Sequence, residues 1–256
     1  MKKNQIKEKL AAGKPVYGAM IQFPDADLTE VLGYAGFDWI LIDAEHGSIN
    51  ENDCAAMVRA CELANTTSIV RPASQHPETL LRFLDRGAQG VQVPHVNTAT
   101  EARAVVEAVK YYPLGKRGVT SSTRSAGYGF RGSIPDYIKF SNEETLVCVM
   151  IEEPEAVRNL PEILKVDGVD VFFVGAGDLA QAMGYPGSKN SPEVQAVVHK
   201  AINTIVGAGK VAGLSCEDDQ MKAFTDLGVQ YFHTSVTTLM KSAARQFWSQ
   251  VGEKRG

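Results

Sequence analysis

Short, strongly apolar segments recur along the chain, and most are followed by a segment with the apolar spacing of a helix. Each apolar segment is almost continuously hydrophobic rather than alternating, which is typical of parallel strands covered on both faces. Eight of them predict β-strands: VYGAMI (16–21), WILID (39–43), SIVRP (68–72), GVQVP (90–94), LVCVMIE (146–152), VDVFFVG (169–175), VAGLS (211–215) and YFHTSV (231–236).

The boundaries of the intervening helices carry the expected signals. Asn50, Pro77 and Ser191 precede or open helical patterns, as capping and first-turn residues do. Glycines end several of these patterns: Gly36, Gly87, Gly209 and Gly228. Eight strand-then-helix units in about 250 residues predict a (β/α)₈ TIM barrel spanning 1–256 as a single α/β domain. A doubly wound sheet is the alternative, but no G-x-G-x-x-G follows a strand.

Residues 113–133, PLGKRGVTSSTRSAGYGFRGS, interrupt the regular spacing. A segment this long inside a compact domain is often functional. One interpretation is a solvated insertion. The other, favoured by Arg117, Arg124 and Arg131 among glycines, is a lid that faces an anion over the barrel mouth.

Composition narrows the function classes. The chain has 44% hydrophobic residues and a formal net charge of −4, which gives no reason to expect nucleic acid or an anionic membrane as a partner. No apolar run approaches the roughly 18 residues of a membrane span, and the basic N-terminus lacks the apolar core of a secretory signal. The four cysteines, Cys54, Cys61, Cys148 and Cys216, form no CxxC pair. We therefore expect reduced thiols in a cytoplasmic protein.

Ionisable residues follow several predicted strands at their carboxyl ends, which share one mouth in a TIM barrel. These residues are Asp43, Glu45 and His46 after strand two, Arg71 at strand three, His95 after strand four, Glu152 and Glu153 after strand five, and Asp178 after strand six. Singly, each has a structural alternative: Asp178 could cap a helix, Glu152 could pair with an arginine, and His46 could be a turn residue. Their convergence on one mouth favours a functional site.

The chemistry of this set is restricted. No lysine lies at a strand end, so Schiff-base catalysis has no obvious nucleophile. Two carboxylates with no His or Cys beside them suit a hard divalent ion such as Mg²⁺ or Mn²⁺. Two protein ligands leave room for water and for a 2-oxo acid, whose enolate the ion would stabilise.

Five stretches resemble the HpcH/HpaI family of class II, metal-dependent pyruvate aldolases, which include 4-hydroxy-2-oxoheptanedioate and 2-dehydro-3-deoxyglucarate aldolases. The stretches are GFDWILIDAEHG, IVRPASQHPETLLRFLDRGAQGVQVPHV, PLGKRGV, VMIEEPEAVRNL and VDVFFVGAGDLAQAMGYPG. The resemblance covers nearly the whole chain. It implies a TIM barrel of the phosphoenolpyruvate/pyruvate-domain type.

The resemblance also implies roles for residues. His46 matches the family's catalytic base, and Arg71 matches the arginine that binds substrate and stabilises the enolate. Glu152 and Asp178 match the two metal ligands. Gly177 matches a position whose backbone contacts substrate.

Asp85 matches an acid that raises the basicity of the histidine. Because Asp85 precedes strand four, it lies towards the opposite end of the barrel and could reach a His46 only across a subunit interface. This agrees with a homo-oligomer, a trimer or a hexamer, and with C-terminal helices exchanged between subunits. Residues 237–252 are the segment expected to pack on a partner.

Three positions depart from the family pattern. Met150 stands where many members have a glutamine that donates to the bound oxo acid. Ala176 replaces a proline, and Met20 replaces an aromatic residue. The metal ligands survive these changes, whereas the substrate pocket becomes less polar.

The sequence thus predicts a divalent-metal-dependent lyase that cleaves a 4-hydroxy-2-oxo acid to pyruvate and an aldehyde. Arg124, in the 113–133 segment, is expected to meet a distal carboxylate of the aldehyde. An oxaloacetate decarboxylase or a macrophomate-synthase-like enzyme remains the alternative, because fold and metal do not fix the substrate. A non-catalytic oxo-acid-binding protein is a third possibility. The sequence does not name the aldehyde, the metal or the subunit number.

Overall fold

A computed structural model describes residues 2–215 and 218–252, with the backbone alone at residues 218 and 219. Eight parallel strands form a closed barrel in chain order. They are β1 (Val16–Ile21), β2 (Trp39–Asp43), β3 (Thr67–Arg71), β4 (Gly90–Val93), β5 (Leu146–Ile151), β6 (Val171–Val174), β7 (Ala212–Ser215) and β8 (Tyr231–Ser235). The predicted TIM barrel is confirmed, and every predicted strand overlaps an observed one.

Helices follow the strands around the outside of the barrel. Within the described residues they are α1 (Gln5–Ala11), α2 (Ala26–Tyr34), α3 (Glu51–Leu63), α4 (Pro77–Asp85), α5 (Ala99–Val109), α6 (Ile134–Glu144), α7 (Pro154–Ile163), α8 (Ala176–Ala182), α9 (Pro192–Gly207), α10 (Asp218–Asp226) and α11 (Val236–Gln250). The patterns did not predict α1 or α6. Helix α6 occupies part of the interval that separates β4 from β5.

The cap residues act as the sequence suggested. The Asn50 side chain accepts from the amide nitrogens of Asn52 and Asp53, and the Asp53 carboxylate accepts from the Asn50 amide, which completes a capping box. Gly36 and Gly87 have φ near +100°, a conformation that favours glycine at a helix C-terminus.

Buried apolar side chains form two layers, one inside the barrel and one between the strands and the helices. Inside the barrel, Trp39, Leu41, Ile69 and Tyr231 pack together, and Ile6 of α1 joins them from the amino end of the strands. Outside, the strands bury a second apolar layer beneath the helices. Helix α1 therefore closes one end of the barrel, and the carboxyl end is the open mouth.

The structure describes three of the four cysteines, and its helices can be checked for membrane-spanning segments. Cys54, Cys61 and Cys148 are buried free thiols whose pKa is raised by burial, as expected for packing residues. Cys216 lies outside the described residues. Within the described ranges, no helix combines the length and apolar character needed to cross a membrane.

Candidate active site

Two of the predicted residues form a buried ion pair at the mouth. Arg71, at the end of β3, donates from Nε to Asp43 Oδ1 (2.9 Å) and from Nη2 to Asp43 Oδ2 (2.7 Å). Asp43, fully buried at the end of β2, also accepts from Gln22 Nε2 at 3.0 Å. These bonds outweigh burial and lower the pKa of Asp43, so the carboxylate holds the guanidinium in a single orientation.

The same carboxylate organises the loop after β2. Asp43 Oδ1 accepts from the amide nitrogens of Glu45 (3.2 Å) and His46 (3.3 Å). At Gly47, a Cβ atom would lie 2.1 Å from the Asp43 carbonyl oxygen and 2.6 Å from that of Gln22. The motif DAEHG is therefore a compact turn that fixes Glu45 and His46 at the rim.

Glu45 lies between an arginine and two histidines. Its Oε2 atom is 3.2 Å from Arg71 Nε and 3.7 Å from His46 Nε2, while Oε1 is 3.5 Å from His95 Nε2. Its side chain is mostly buried. His46 is exposed, and the described residues give its ring no closer polar partner than Glu45. Sequence reasoning placed Glu45 at the mouth but assigned it no role.

Glu152, directly after β5, is 1% exposed and carries no ion pair with an arginine or lysine in the described residues. Burial and the charge of Asp178 together raise its pKa to about 7, although the His95 amide, which donates to Oε1 at 2.7 Å, acts in the opposite direction. At Gly175, a Cβ atom would lie 2.7 Å from both Glu152 Cβ and Oε2. The backbone after β6 thus leaves room for this carboxylate only because residue 175 is glycine.

Asp178 lies in the first turn of α8 and is exposed at the mouth. The N-cap of α8 is Gly175, and it makes no side-chain capping bond, so Asp178 is not the cap that the structural alternative suggested. The negative charge of Asp178 raises the pKa of Glu152, because two carboxylates at one mouth repel each other.

His95 was seen at a strand end but was not assigned to the site. It has φ +57°, and its Nδ1 atom is 3.0 Å from Glu153 Oε1 and 3.6 Å from Glu152 Oε1. Asn97 Nδ2 donates to the other Glu153 oxygen at 2.9 Å. Partial burial lowers the pKa of His95, but the surrounding carboxylates raise it by more, so the net shift is upward.

The segment 113–133 does not cover the mouth of its own chain, so the lid interpretation is wrong for the single subunit. Arg124 donates to Glu62 Oε1 at 3.0 Å, at the end of α3, and therefore does not reach this chain's substrate pocket. A cavity of about 690 Å³ lies beneath the segment, at the amino end of the strands, bordered by Gln89 and Thr145. The carboxylate of Glu62, which is 38% exposed, pairs with Arg124 at that end.

Asp85 lies at the same end of the barrel, as the sequence indicated. Arg117 Nη2 donates to its Oδ1 atom at 2.7 Å, and the Arg117 guanidinium stacks 4.7 Å from the Tyr111 ring centroid. Within one chain, Asp85 therefore pairs with Arg117 and does not contact His46. Its proposed effect on His46 stays a prediction that concerns a neighbouring subunit.

Met150 and Gly177 occupy different parts of the pocket. Met150 is 2% exposed and points into the barrel, where its Sδ atom accepts a weak bond from Gln92 Nε2 at 3.7 Å. Met20 Sδ lies 3.7 Å from Arg71 Nη2. Gly177 is exposed, with no atom within 4 Å of an added Cβ. The thioether of Met20 therefore lies against Arg71, and that of Met150 faces Gln92 inside the barrel.

A histidine that the sequence did not single out lies below the pocket. His233 on β8 is 4% exposed, stacks on Phe173 at 5.0 Å, and has no hydrogen-bond partner for either ring nitrogen among the described residues. Strand register with the one-residue stagger of a TIM barrel places it one layer beneath Arg71. Burial, with the Arg71 charge, lowers its pKa to about 3.

Comparison with known proteins agrees with this architecture. A relative named 4-hydroxy-2-oxo-heptane-1,7-dioate aldolase, from Escherichia coli, is 39% identical over 251 residues, covering 97% of this chain and 95% of its own. An HpcH/HpaI aldolase/citrate lyase family protein from Burkholderia cenocepacia superimposes with a TM-score of 0.91 at 28% identity, covering 98% and 100% of the two chains. The barrel and these relatives define a carbon–carbon lyase, an aldolase.

Residues 20–239 match the HpcH/HpaI aldolase/citrate lyase family, and the chain belongs to that family. The resemblance drawn from the five sequence stretches is therefore confirmed. A citrate lyase β subunit from M. tuberculosis, solved with oxaloacetate and magnesium, shares the fold with a TM-score of 0.56 at 15% identity, covering 88% of this chain and 92% of its own.

Two carboxylates at the mouth are suited to bind a divalent cation, although they do not form a complete set of protein ligands. Within the described residues, no three His, Cys, Asp or Glu side chains converge closely enough to hold a metal by themselves. Glu152 is a buried carboxylate whose charge is opposed by Asp178, and a cation between them would relieve both burial and repulsion. A two-carboxylate site that leaves positions for water and substrate is typical of Mg²⁺.

Proposed function

We propose that this aldolase cleaves a 4-hydroxy-2-oxo acid to pyruvate and an aldehyde, with a divalent cation at Glu152 and Asp178. The observation that carries the proposal is the Arg71 guanidinium, which Asp43 fixes at two points beside the buried Glu152. Within the described residues its Nη1 atom has no hydrogen-bond acceptor, which leaves one oriented donor for the substrate.

Glu152 and Asp178 would hold the ion, with Mg²⁺ or Mn²⁺ as the first candidates and Co²⁺ as a further one. When bound, the ion would supply a Lewis acid for the 2-oxo group. Arg71 would bind the same end of the substrate and stabilise the negative charge of the enolate, since its cation is preorganised and does not have to rotate into place.

His46 would take the proton from the C4 hydroxyl as the C3–C4 bond breaks. The ring is accessible at the rim, and Glu45 is its polar neighbour. Asp85 would support this histidine only from a second copy of the chain. Gly177, exposed and unobstructed beside Asp178, would offer its backbone to the substrate carboxylate.

We also propose a homo-oligomer in which α11 packs on another subunit. Of the residues of α11, only Val236 is buried, whereas Met240 (62%) and Phe247 (55%) are exposed. These two residues are seven apart, on one face of the helix, and Val251 follows on the same side. An apolar stripe of this kind is typical of an interface.

The test of the function is pyruvate release from 4-hydroxy-2-oxoheptanedioate and from oxaloacetate, measured in chelator and after Mg²⁺, Mn²⁺ or Co²⁺ is restored. We expect metal-restored cleavage of the hydroxy-oxo acid, and its loss in Arg71→Lys, which cannot make the two-point contact with Asp43. Turnover of oxaloacetate alone would favour a decarboxylase instead. Full activity in chelator would contradict the roles of Glu152 and Asp178.

A further inference from the structure

The cavity at the amino end of the barrel has a volume of about 690 Å³, which is in the range of small-molecule sites. Residues from α3, from the turn before β4, from the 113–133 segment and from α6 enclose it. Because the mouth lies at the carboxyl end of the strands, this amino-end cavity takes no part in the proposed cleavage. Its chemistry therefore needs an explanation of its own.

Basic side chains are concentrated around the amino-end cavity. Its wall includes the carboxylates of Glu62 and Glu144 and five cations, which belong to Lys2, Arg59, Arg117, Arg124 and Arg131. The whole chain, in contrast, carries a formal net charge of −4. An excess of positive charge around a concave site raises the local concentration of anions.

Two of the five cations already have a carboxylate partner. Arg124 pairs with Glu62, and Arg117 pairs with Asp85. Among the residues that the structure describes, the other three cations form no ion pair, and these are Lys2, Arg59 and Arg131. A ligand with a single negative charge would match only part of this excess.

Two glycines make room for the arginines. At Gly87, which has φ +100°, an added Cβ would overlap Arg124 Nη1. At Gly127, which has φ +64°, an added Cβ would lie 2.6 Å from Arg131 Cβ. A larger residue at either position would displace an arginine from the cavity wall. The backbone is therefore compatible with this set of cations only because both residues are glycine.

Arg117 contributes a buried donor to the same wall. Its side chain is 2% exposed, and its Nη2 atom donates to Asp85 at 2.7 Å. Its Nε atom is buried and has no acceptor among the described residues. Buried donors are nearly always paired, so this nitrogen indicates a ligand that brings an oxygen acceptor.

The remainder of the wall is largely apolar and aromatic. Leu63, Leu84, Tyr128 and Phe140 line it. Tyr128 is 54% exposed and has φ +55°, a conformation that is unfavourable for tyrosine and that occurs most often at functional sites. A ligand that fills this cavity therefore combines an anionic group with an apolar body.

We propose that the amino-end cavity binds an aromatic phosphate monoester. At neutral pH a phosphate monoester carries close to two negative charges and offers three acceptor oxygens, so it can bind several arginines at once. The aromatic ring packs against Tyr128 and Phe140, and guanidinium groups stack well on such rings. A nucleoside monophosphate and a small aryl phosphate share this chemistry, and the experiment separates them.

The experiment is isothermal titration calorimetry with phenyl phosphate, AMP and inorganic phosphate. A chelator is present throughout, so that no metal at the mouth binds the phosphate. We expect phenyl phosphate to bind once per chain and roughly tenfold more tightly than inorganic phosphate, which lacks the ring. Tighter binding of AMP than of phenyl phosphate would identify a nucleoside monophosphate, and weaker binding would identify a smaller aryl phosphate.

Substitutions locate the binding site. Arg59→Gln with Arg131→Gln, two exposed residues, should weaken phenyl phosphate binding by roughly tenfold or more, since each removes a charge-assisted hydrogen bond. Arg103→Gln with Arg158→Gln is the matched control: both residues are exposed, neither lines the cavity, and the change in charge is the same. This control should bind phenyl phosphate as the wild-type protein does.

Arg71→Lys separates the amino-end cavity from the mouth, and it should leave the affinity for phenyl phosphate unchanged. If the double variant at Arg59 and Arg131 does not fold, Arg59→Gln alone gives the same test on the exposed face of α3. No binding of any of the three compounds by the wild-type protein would overturn the proposal. An unchanged affinity in the Arg59 variants, or a loss in Arg71→Lys, would do the same.

Discussion

Arg71 and Asp43 form a two-point ion pair between the ends of neighbouring strands, with nitrogen–oxygen distances of 2.9 and 2.7 Å. The residues are also register partners in β2 and β3. The barrel backbone therefore sets the position of the guanidinium, and the carboxylate sets its orientation.

Asp43→Asn should damage both stability and catalysis. The change removes the fully buried, two-point counter-charge of Arg71 and leaves only Glu45 at 3.2 Å from Nε, and breaking a buried pair costs about 3–5 kcal/mol. We expect a loss of that size in the free energy of unfolding, and a fall of about 100-fold in kcat/KM from misplacement of the guanidinium. Urea unfolding and steady-state kinetics measure the two effects.

Glu107→Gln is the matched control, because Glu107 pairs with Lys116 at 2.7 Å on the surface, where the lysine side chain is 79% exposed. It should cost no more than about 1 kcal/mol. Equal losses of unfolding free energy in the two variants would show that the Asp43–Arg71 pair contributes no more to stability than a surface ion pair does.

Gly175→Ala should weaken metal binding while the barrel stays folded. The added Cβ would lie 2.7 Å from Glu152 Oε2, so the carboxylate must move away from its present position. We expect the affinity for Mn²⁺ to fall about 10- to 100-fold, the range for a lost support of a metal ligand. Isothermal titration calorimetry measures the affinity directly.

Gly177→Ala is the control for this change, because no atom lies within 4 Å of its added Cβ. It should bind Mn²⁺ as the wild-type protein does. If both alanine variants bind the ion normally, Glu152 is not a ligand in the orientation described above.

The fold could be predicted because its signals are local. Continuous apolar runs identify the strands, and Gly36 and Gly87 mark helix ends through their positive φ. Helix α6 was missed because it begins with Ile134-Pro135 beside a long irregular segment. The order of the eight units then leaves few topologies.

The site was only partly predictable because its contacts join distant loops. Asp43, Arg71 and Glu152 lie at strand ends, where barrel geometry alone brings them together. The contacts of His95 join Glu45 and Glu153 in two other loops, and no local pattern reveals such contacts. The contact of Arg124 within its own chain could not be predicted for the same reason, since its partner, Glu62, lies 62 residues away along the chain.

The apolar stripe on α11 should control the subunit number. Met240→Glu with Phe247→Glu places two charges on the exposed face of this helix, and we expect the oligomer to dissociate at micromolar concentration because the interface cannot bury them. Light scattering coupled to size-exclusion chromatography reads the mass. Lys222→Glu on α10 is a control of similar charge change, and an unchanged mass in the double variant would place the interface elsewhere.

His233 should make the stability of the protein depend on pH. Its folded pKa of about 3 lies below the usual 6.5, so the unfolded chain binds the proton more readily. The contribution is fully present above pH 6.5 and is lost as pH falls towards 3, at about 1.4 kcal/mol per pH unit. Between pH 6.5 and 5 the wild-type protein should lose about 2 kcal/mol relative to His233→Phe.

Other groups that titrate in this window are common to both proteins and cancel in the difference. Phenylalanine keeps an aromatic ring against Phe173 and removes the two unpaired nitrogens, each of which costs about 1–3 kcal/mol when buried without a partner. The variant should therefore be at least as stable as the wild-type protein at pH 5. Urea titrations at several pH values measure the difference, and parallel curves would mean that the ring nitrogens of His233 are solvated inside the folded barrel.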